Sequence, residues 1–198
     1  MRVSGLELGD LAVDPVVVGV IALAVLFRST FGFGDALVAM PLLVLVGMAI
    51  GPATALVAAV SLVTAAAIFA IDRRQTRLAD GTLVLVMTAL PGLVLGLWFL
   101  EAASTVLLIG GLGGIVVVIG LLGVLTDPRN WRVSDRLAGV FGLVAGCLGG
   151  AFNVHGPLLV VFGTARDWSP DVFRSTCQAY FLAVGVVLVG GHGLAGRY

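Results

Sequence analysis

The chain has 198 residues, 60% of them apolar and 11% charged, against about 25% charged in an ordinary soluble domain, and its mean hydropathy of +1.15 belongs to a membrane protein. Eleven arginines balance eleven acidic residues and there is no lysine, which excludes a polybasic surface for nucleic acid. Cys147 and Cys177 are isolated in apolar surroundings, with neither a disulfide framework nor a metal-ligand spacing.

Residues 1–14 read as a polar tail. Glu7, Asp10 and Asp14 stand where a cleavable signal would be basic, so the first apolar run is expected to stay in the mature protein. That run, Pro15 to Val46, is too long for one straight span and too short for two, since an α-helix needs about 20 residues to cross about 30 Å of hydrocarbon. Arg28-Ser29-Thr30-Phe31-Gly32-Phe33-Gly34-Asp35 interrupts it, and apolar sequence resumes from Leu37 to Val46. Pro52 to Ile71, Thr82 to Leu100 and Ser104 to Leu125 each suffice for a span. Leu137 to Phe162 then repeats the first pattern, broken at Cys147-Leu148-Gly149-Gly150-Ala151-Phe152-Asn153-Val154-His155-Gly156-Pro157, and Val172 to Gly190 is the last span. Non-helical backbone at bilayer depth is tolerated only inside protein or against a wet cavity. Two such interruptions in corresponding halves point to the binding site of a transporter.

The expected fold is therefore all-α: a polytopic transmembrane helical protein of two repeats, each opening with a broken or re-entrant helix. The first repeat covers residues 15–125, and the second covers 137–198 and looks incomplete at its C-terminus. Setting Phe31 on Phe152 puts Gly32 on Asn153, Phe33 on Val154, Gly34 on His155 and Asp35 on Gly156, and Gly51-Pro52 then falls on Ser169-Pro170. The basic loops at 72–77 and 127–136, with Glu101 at the tip between them, place both loops inside by the arginine bias of cytoplasmic segments. If each broken element crosses once, the N-terminus is inside and the repeats are parallel. If each re-enters as a hairpin, the N-terminus is outside and the repeats are inverted.

Chemistry concentrates at the breaks. Glycines reach positive φ freely, and a helix resuming after a break offers unpaired N–H groups and its positive dipole end to an anion. The alternative for such glycines is close helix packing. Arg28 in the bilayer needs a partner or a cavity. Asp35, seven residues on, is its structural partner if the pair serves folding alone, and otherwise a proton or cation site beside a substrate-binding arginine. Asn153 and His155 can donate hydrogen bonds to an oxyanion or cap the exposed backbone of the break. Arg174 and Thr176, at the start of the last span beside Gln178, are further contact candidates, although snorkelling alone explains Arg174. The candidate substrate-binding set is Arg28, Ser29, Gly32, Gly34, Asp35, Asn153, His155, Gly156, Arg174 and Thr176. No nucleophile, base and orienting acid assemble, and no phosphate-cradling loop precedes a lysine, so neither catalysis nor a cofactor nor a metal ion is implied.

Phe31-Gly32-Phe33-Gly34-Asp35-Ala36 followed by Met40-Pro41-Leu42-Leu43 resembles the first-helix motif of the TauE/SafE family of sulfite exporter-like permeases, also called the toluene sulfonate uptake permease family. Phe152, Val154, Gly156 and Pro157 resemble its second motif, and Pro170-Asp171-Val172-Phe173-Arg174-Ser175-Thr176 its downstream helix start. The chain departs from the pattern at Arg28, Asp35-Ala36, Asn153 and His155, where polar and ionisable groups enter the place the family is expected to use for its anion. The resemblance implies two repeats of about four spans, of which roughly two helices are missing here. It also implies a permease of the inner membrane that moves sulfite, an organosulfonate or a related sulfur oxyanion by alternating access. The partners expected are a small anion and the lipid bilayer, with no nucleic acid. The incomplete second repeat leaves either association with another copy, as a homo-oligomer, or a longer chain. A non-transporting scaffold or partner subunit is the rival function.

Overall fold

The computed structural model describes residues 14–71, 77–128, 131 and 133–197. The tail through Ala12 and Val13 and the loop residues Asp72, Arg73, Arg74, Gln75, Thr76, Arg129, Asn130 and Arg132 lie outside that set, as do the expectations that rest on them. The described residues form α-helices and no strand: α1 (Pro15–Phe31), α2 (Asp35–Leu45), α3 (Ile50–Ile71), α4 (Thr82–Ala102), α5 (Thr105–Leu125), α6 (Ala138–Phe152), α7 (Gly156–Ala165) and α8 (Pro170–Leu194). Helices α3, α4, α5 and α8 are long and apolar enough to cross a membrane.

The helix ends follow from local chemistry. Asp14 caps α1 by accepting from the Val16 N–H at 2.8 Å, and Pro15 at the first position gives up no hydrogen bond. Ser104 and Ser169 cap α5 and α8 in the same way. Both mid-chain breaks end a helix on a left-handed residue, Gly32 at φ 82° and Asn153 at φ 58°. Asparagine is one of the few residues besides glycine that tolerates this conformation. Residue by residue, the breaks correspond as the alignment sets them: Gly32 and Asn153 close the first helices, Gly34 and His155 precede the second, and Asp35 and Gly156 begin them.

Both broken elements fold back as helical hairpins. The Phe141 and Phe162 rings lie 5.1 Å apart, whereas a straight continuation at about 1.5 Å per residue would separate them by roughly 30 Å. Arg166 Nη1, just past α7, donates to the Val133 carbonyl just ahead of α6 at 3.4 Å. Helix α2 likewise folds back along α1, and Val17, Val20 and Ile21 join the apolar cluster that holds Leu43 and Met48.

The hairpins enter from opposite faces. The Ala79 N–H donates to Thr176 Oγ1 at 2.9 Å, which puts the start of α8 beside the start of α4. At the other end Arg197, beyond α8, bonds Glu101 at the end of α4 and lies near Gly51 at the start of α3. Hairpin α6–α7 opens on the first of these faces, which carries Arg77, Arg136, Arg166 and Arg174, and α1–α2 opens on the second. Pro15 therefore lies on the face opposite Arg77, Arg136, Arg166 and Arg174, the side that carries Glu101 and Arg197.

Helices α4 and α6 pack backbone to backbone. A Cβ added at Gly92 or Gly96 would fall on the carbonyl oxygen of Leu143 or Cys147, and one at Gly142, Gly146 or Gly150 on that of Leu85, Ala89 or Leu93. Small residues allow this approach, as membrane helix pairs without a hydrophobic driving force require. The glycines of α5 differ, since a Cβ at Gly110, Gly113, Gly114, Gly120 or Gly123 meets nothing within 4 Å.

Candidate functional site

The tips of the two hairpins meet in one small cleft lined by Gly34, Asp35, Asn153, His155, Gly156 and Phe181, among others. Its volume of about 10 Å³ is at the threshold for a single water, roughly 10–15 Å³. Arg28, 1% exposed, lies beneath it on α1. Its Nη1 donates to Asp35 Oδ2 at 2.6 Å and its Nη2 to Gln178 Oε1 at 3.2 Å. Gln178 Nε2 in turn donates to the Gly32 carbonyl at 2.9 Å, so α8 pins both the arginine and the break that follows it. Ser61 Oγ on α3 donates to Asp35 Oδ2, and Asn153 Nδ2 donates to Ser61 Oγ at 3.2 Å. One chain of polar contacts thus runs from the first break to the second. The guanidinium also lies over the Phe181 ring, 4.5 Å from its centroid, and His155 stacks on the same ring at 5.0 Å.

The helix ends that meet at the cleft are satisfied unequally, and Asp35 stands in the first turn of α2. The carbonyl ends of α1 and α6 are closed by backbone bonds, Gly32 N–H to Arg28 O at 2.7 Å and Asn153 N–H to Gly149 O at 2.8 Å. The amide ends of α2 and α7 receive no side-chain cap from Gly34 or His155. Two helix N-termini therefore present their partial positive charge at the cleft. Among the described residues, Arg28 Nε, His155 Nδ1 and Tyr180 Oη are buried without a hydrogen-bond partner. Such groups are uncommon in a relaxed interior.

Seven of the sequence candidates gather here: Arg28, Gly32, Gly34, Asp35, Asn153, His155 and Gly156. Three do not. Ser29 is exposed and bonds back to the Val25 carbonyl at 2.8 Å, Arg174 is exposed near the start of α8, and Thr176 is occupied with Ala79. Ser61, Gln178, Tyr180 and Phe181 complete the constellation although the motifs do not include them. Their signal in the sequence is slight, a lone serine in an alanine-rich span and a glutamine inside an apolar one.

Phe33 stands beside the cleft on the side of the face that carries Arg166 and Arg174. It lies against Gly156, where an added Cβ would approach its side chain to 3.3 Å, and it packs edge-on to Phe173 at 6.2 Å. Beyond it is a cavity of about 480 Å³ bordered by Thr164, Asp167, Trp168 and Pro170. On the other side of the cleft, Gly149 is the seat of His155, since a Cβ there would meet Nδ1 at 2.5 Å. Gly149→Ala is expected to displace the imidazole, destabilise the protein by about 1–3 kcal/mol and depress solute flux more than the same change at Gly139. Thermal unfolding and flux of the two variants side by side check this.

No curated protein and no solved structure matches the chain. The sequence pattern of the sulfite exporter TauE/SafE family, by contrast, matches residues 17–198, and with paired helical hairpins and long apolar spans already in view, the chain belongs to that family of multi-pass membrane transporters.

Proposed function

We propose that this protein is a permease of the inner membrane that moves a small sulfur oxyanion, sulfite or an organosulfonate, by alternating access around the two hairpin tips. The observation that carries this reading is Arg28, a buried guanidinium beside two uncapped helix N-termini that face one another across a cleft. A guanidinium fork matches an oxyanion with two parallel hydrogen bonds. Arg28 would hold the substrate from one side, and the amides at the start of α2 and α7 together with Asn153 would hold it from the other.

The cleft of about 10 Å³ is too small for such an anion as it stands. Binding therefore requires the hairpins to part, and because they open on opposite faces, parting on one side at a time supplies the two access states. Phe33 is the side chain that must move on the arginine-bearing face. The groups at the site bind and release, with no bond made or broken.

Flux into proteoliposomes tests the proposal with sulfite, methanesulfonate, acetate and chloride as labelled solutes. The sulfur oxyanions are expected to exchange at least about tenfold faster than chloride, which cannot use a planar fork. Protein-dependent flux of none of the four would overturn the reading in favour of a membrane scaffold.

A further inference from the structure

The Arg28 guanidinium is already engaged by a carboxylate on one arm and an amide on the other, and this sets a condition on any anion that would bind it. The pair Arg28–Asp35 is neutral and buried. Adding an anion to it would leave a net negative charge at membrane depth, where an unpaired charge is strongly disfavoured. Neutrality is restored in the simplest way if the carboxylate gives up its own charge as the substrate arrives. Asp35 has the surroundings for both states. Ionised, it receives Arg28 Nη1 and Ser61 Oγ. Protonated, it becomes a donor, and the Ser61 hydroxyl can turn to accept from it, with the Asn153 amide next in the chain of contacts.

Resting on the permease reading above, we propose that Asp35 is a proton-binding site that exchanges with the substrate for Arg28, so that each monoanion crosses together with one proton. From one face a proton enters on Asp35, the carboxylic acid releases Arg28, and the anion takes the vacated guanidinium arm and the still unpartnered Nε. On the other face the anion leaves, the proton follows it, and the Arg28–Asp35 pair closes again. The site is neutral when empty and neutral when loaded, so the cycle moves no net charge. The titratable and charged groups around the Arg28–Asp35 pair are few among the described residues. Arg28 comes from α1 and His155 from the second break, Cys177 of α8 lies near Arg28 and Tyr180 of α8 against His155, and the uncharged Ser61, Asn153 and Gln178 make the remaining contacts. Of these Asp35 alone is in direct contact with the guanidinium as an anion.

The test uses the whole protein in sodium-free proteoliposomes with methanesulfonate, a monoanion across the usable pH range whose own protonation does not respond to the gradient, and with sulfite in parallel. For the wild type, an inward-acid or inward-alkaline step of one pH unit is expected to drive accumulation toward the acid-to-alkaline direction of proton flow by up to about tenfold. A potassium diffusion potential set with valinomycin is expected to leave uptake unchanged. In Asp35→Asn, whatever its rate of labelled methanesulfonate exchange, accumulation driven by the pH gradient should vanish and uptake should become sensitive to the potential. Asp35→Glu should keep the wild-type pattern. Wild-type flux that ignores the pH gradient or follows the potential overturns the coupling while leaving the permease reading intact. So does pH-driven accumulation that survives Asp35→Asn. Absence of flux with either probe overturns the permease reading and this inference with it. If Asp35→Asn does not fold, the two wild-type arms decide alone.

Discussion

Arg28→Ala is expected to abolish transport and to lower the yield of folded protein sharply. It leaves Asp35 as an uncompensated buried charge, and removing one partner of such a pair costs about 3–5 kcal/mol, a large part of the stability of a protein this size. It also removes the contacts to Gln178 and Phe181. Arg28→Lys keeps a positive charge but loses the fork, so it should fold and yet transport poorly. The informative variant is the double change Arg28→Ala with Asp35→Ala. With both charges gone the burial penalty disappears, and size-exclusion profiles in detergent should recover toward wild type. Recovered folding without flux supports the anion-binding role. Recovered folding with full flux would show that the pair serves the fold alone.

The second large effect is expected between α4 and α6. Gly146→Val would drive a branched side chain into the backbone of Ala89. No rotamer avoids a main-chain carbonyl, so the helices must separate, at a cost above the roughly 1–3 kcal/mol typical of overpacking among movable side chains. Folded yield should be lost almost completely. Gly113→Ala and Gly123→Ala on α5, where nothing stands within 4 Å, should be neutral or stabilising by up to about 1 kcal/mol, the ordinary helical gain of alanine over glycine. Equal loss at both sets of positions would show that the close approach of α4 and α6 is not what these glycines provide.

That contrast shows where the sequence is legible. The spans were readable because length and hydropathy are local, and the observed helices begin and end close to the expected limits, as with Thr82 and Leu125. The two breaks were readable because Gly32, Gly34 and Pro157 act on their own backbone, whatever surrounds them. The facing of each glycine was not readable. Helices α5 and α6 are about equally rich in glycine, and only the neighbour each one meets separates packing from exposure. The choice between crossing and re-entry is non-local for the same reason, since it depends on whether Phe162 returns to Phe141. Arg174 and Thr176 show a further limit. Gln178 reaches the site, and Arg174 lies one turn nearer the membrane surface on the same helical face, while Thr176, two residues from Gln178, points about 200° away.

Helix α5 buries only Leu108 and Leu112, and between it and the α4–α6 pair runs an apolar groove of about 470 Å³ bordered by Trp98, Phe99, Leu107 and Ile115. Such a helix has few neighbours to hold it. In a bilayer, hydrocarbon would have access to this groove and to the valines and leucines that α5 exposes, and lipid is expected to support the helix where protein does not. Amide hydrogen exchange should register this as a ranking, with α5 opening before α4, α6 or α8, and the gap should widen as long-chain lipid is replaced by short-chain detergent.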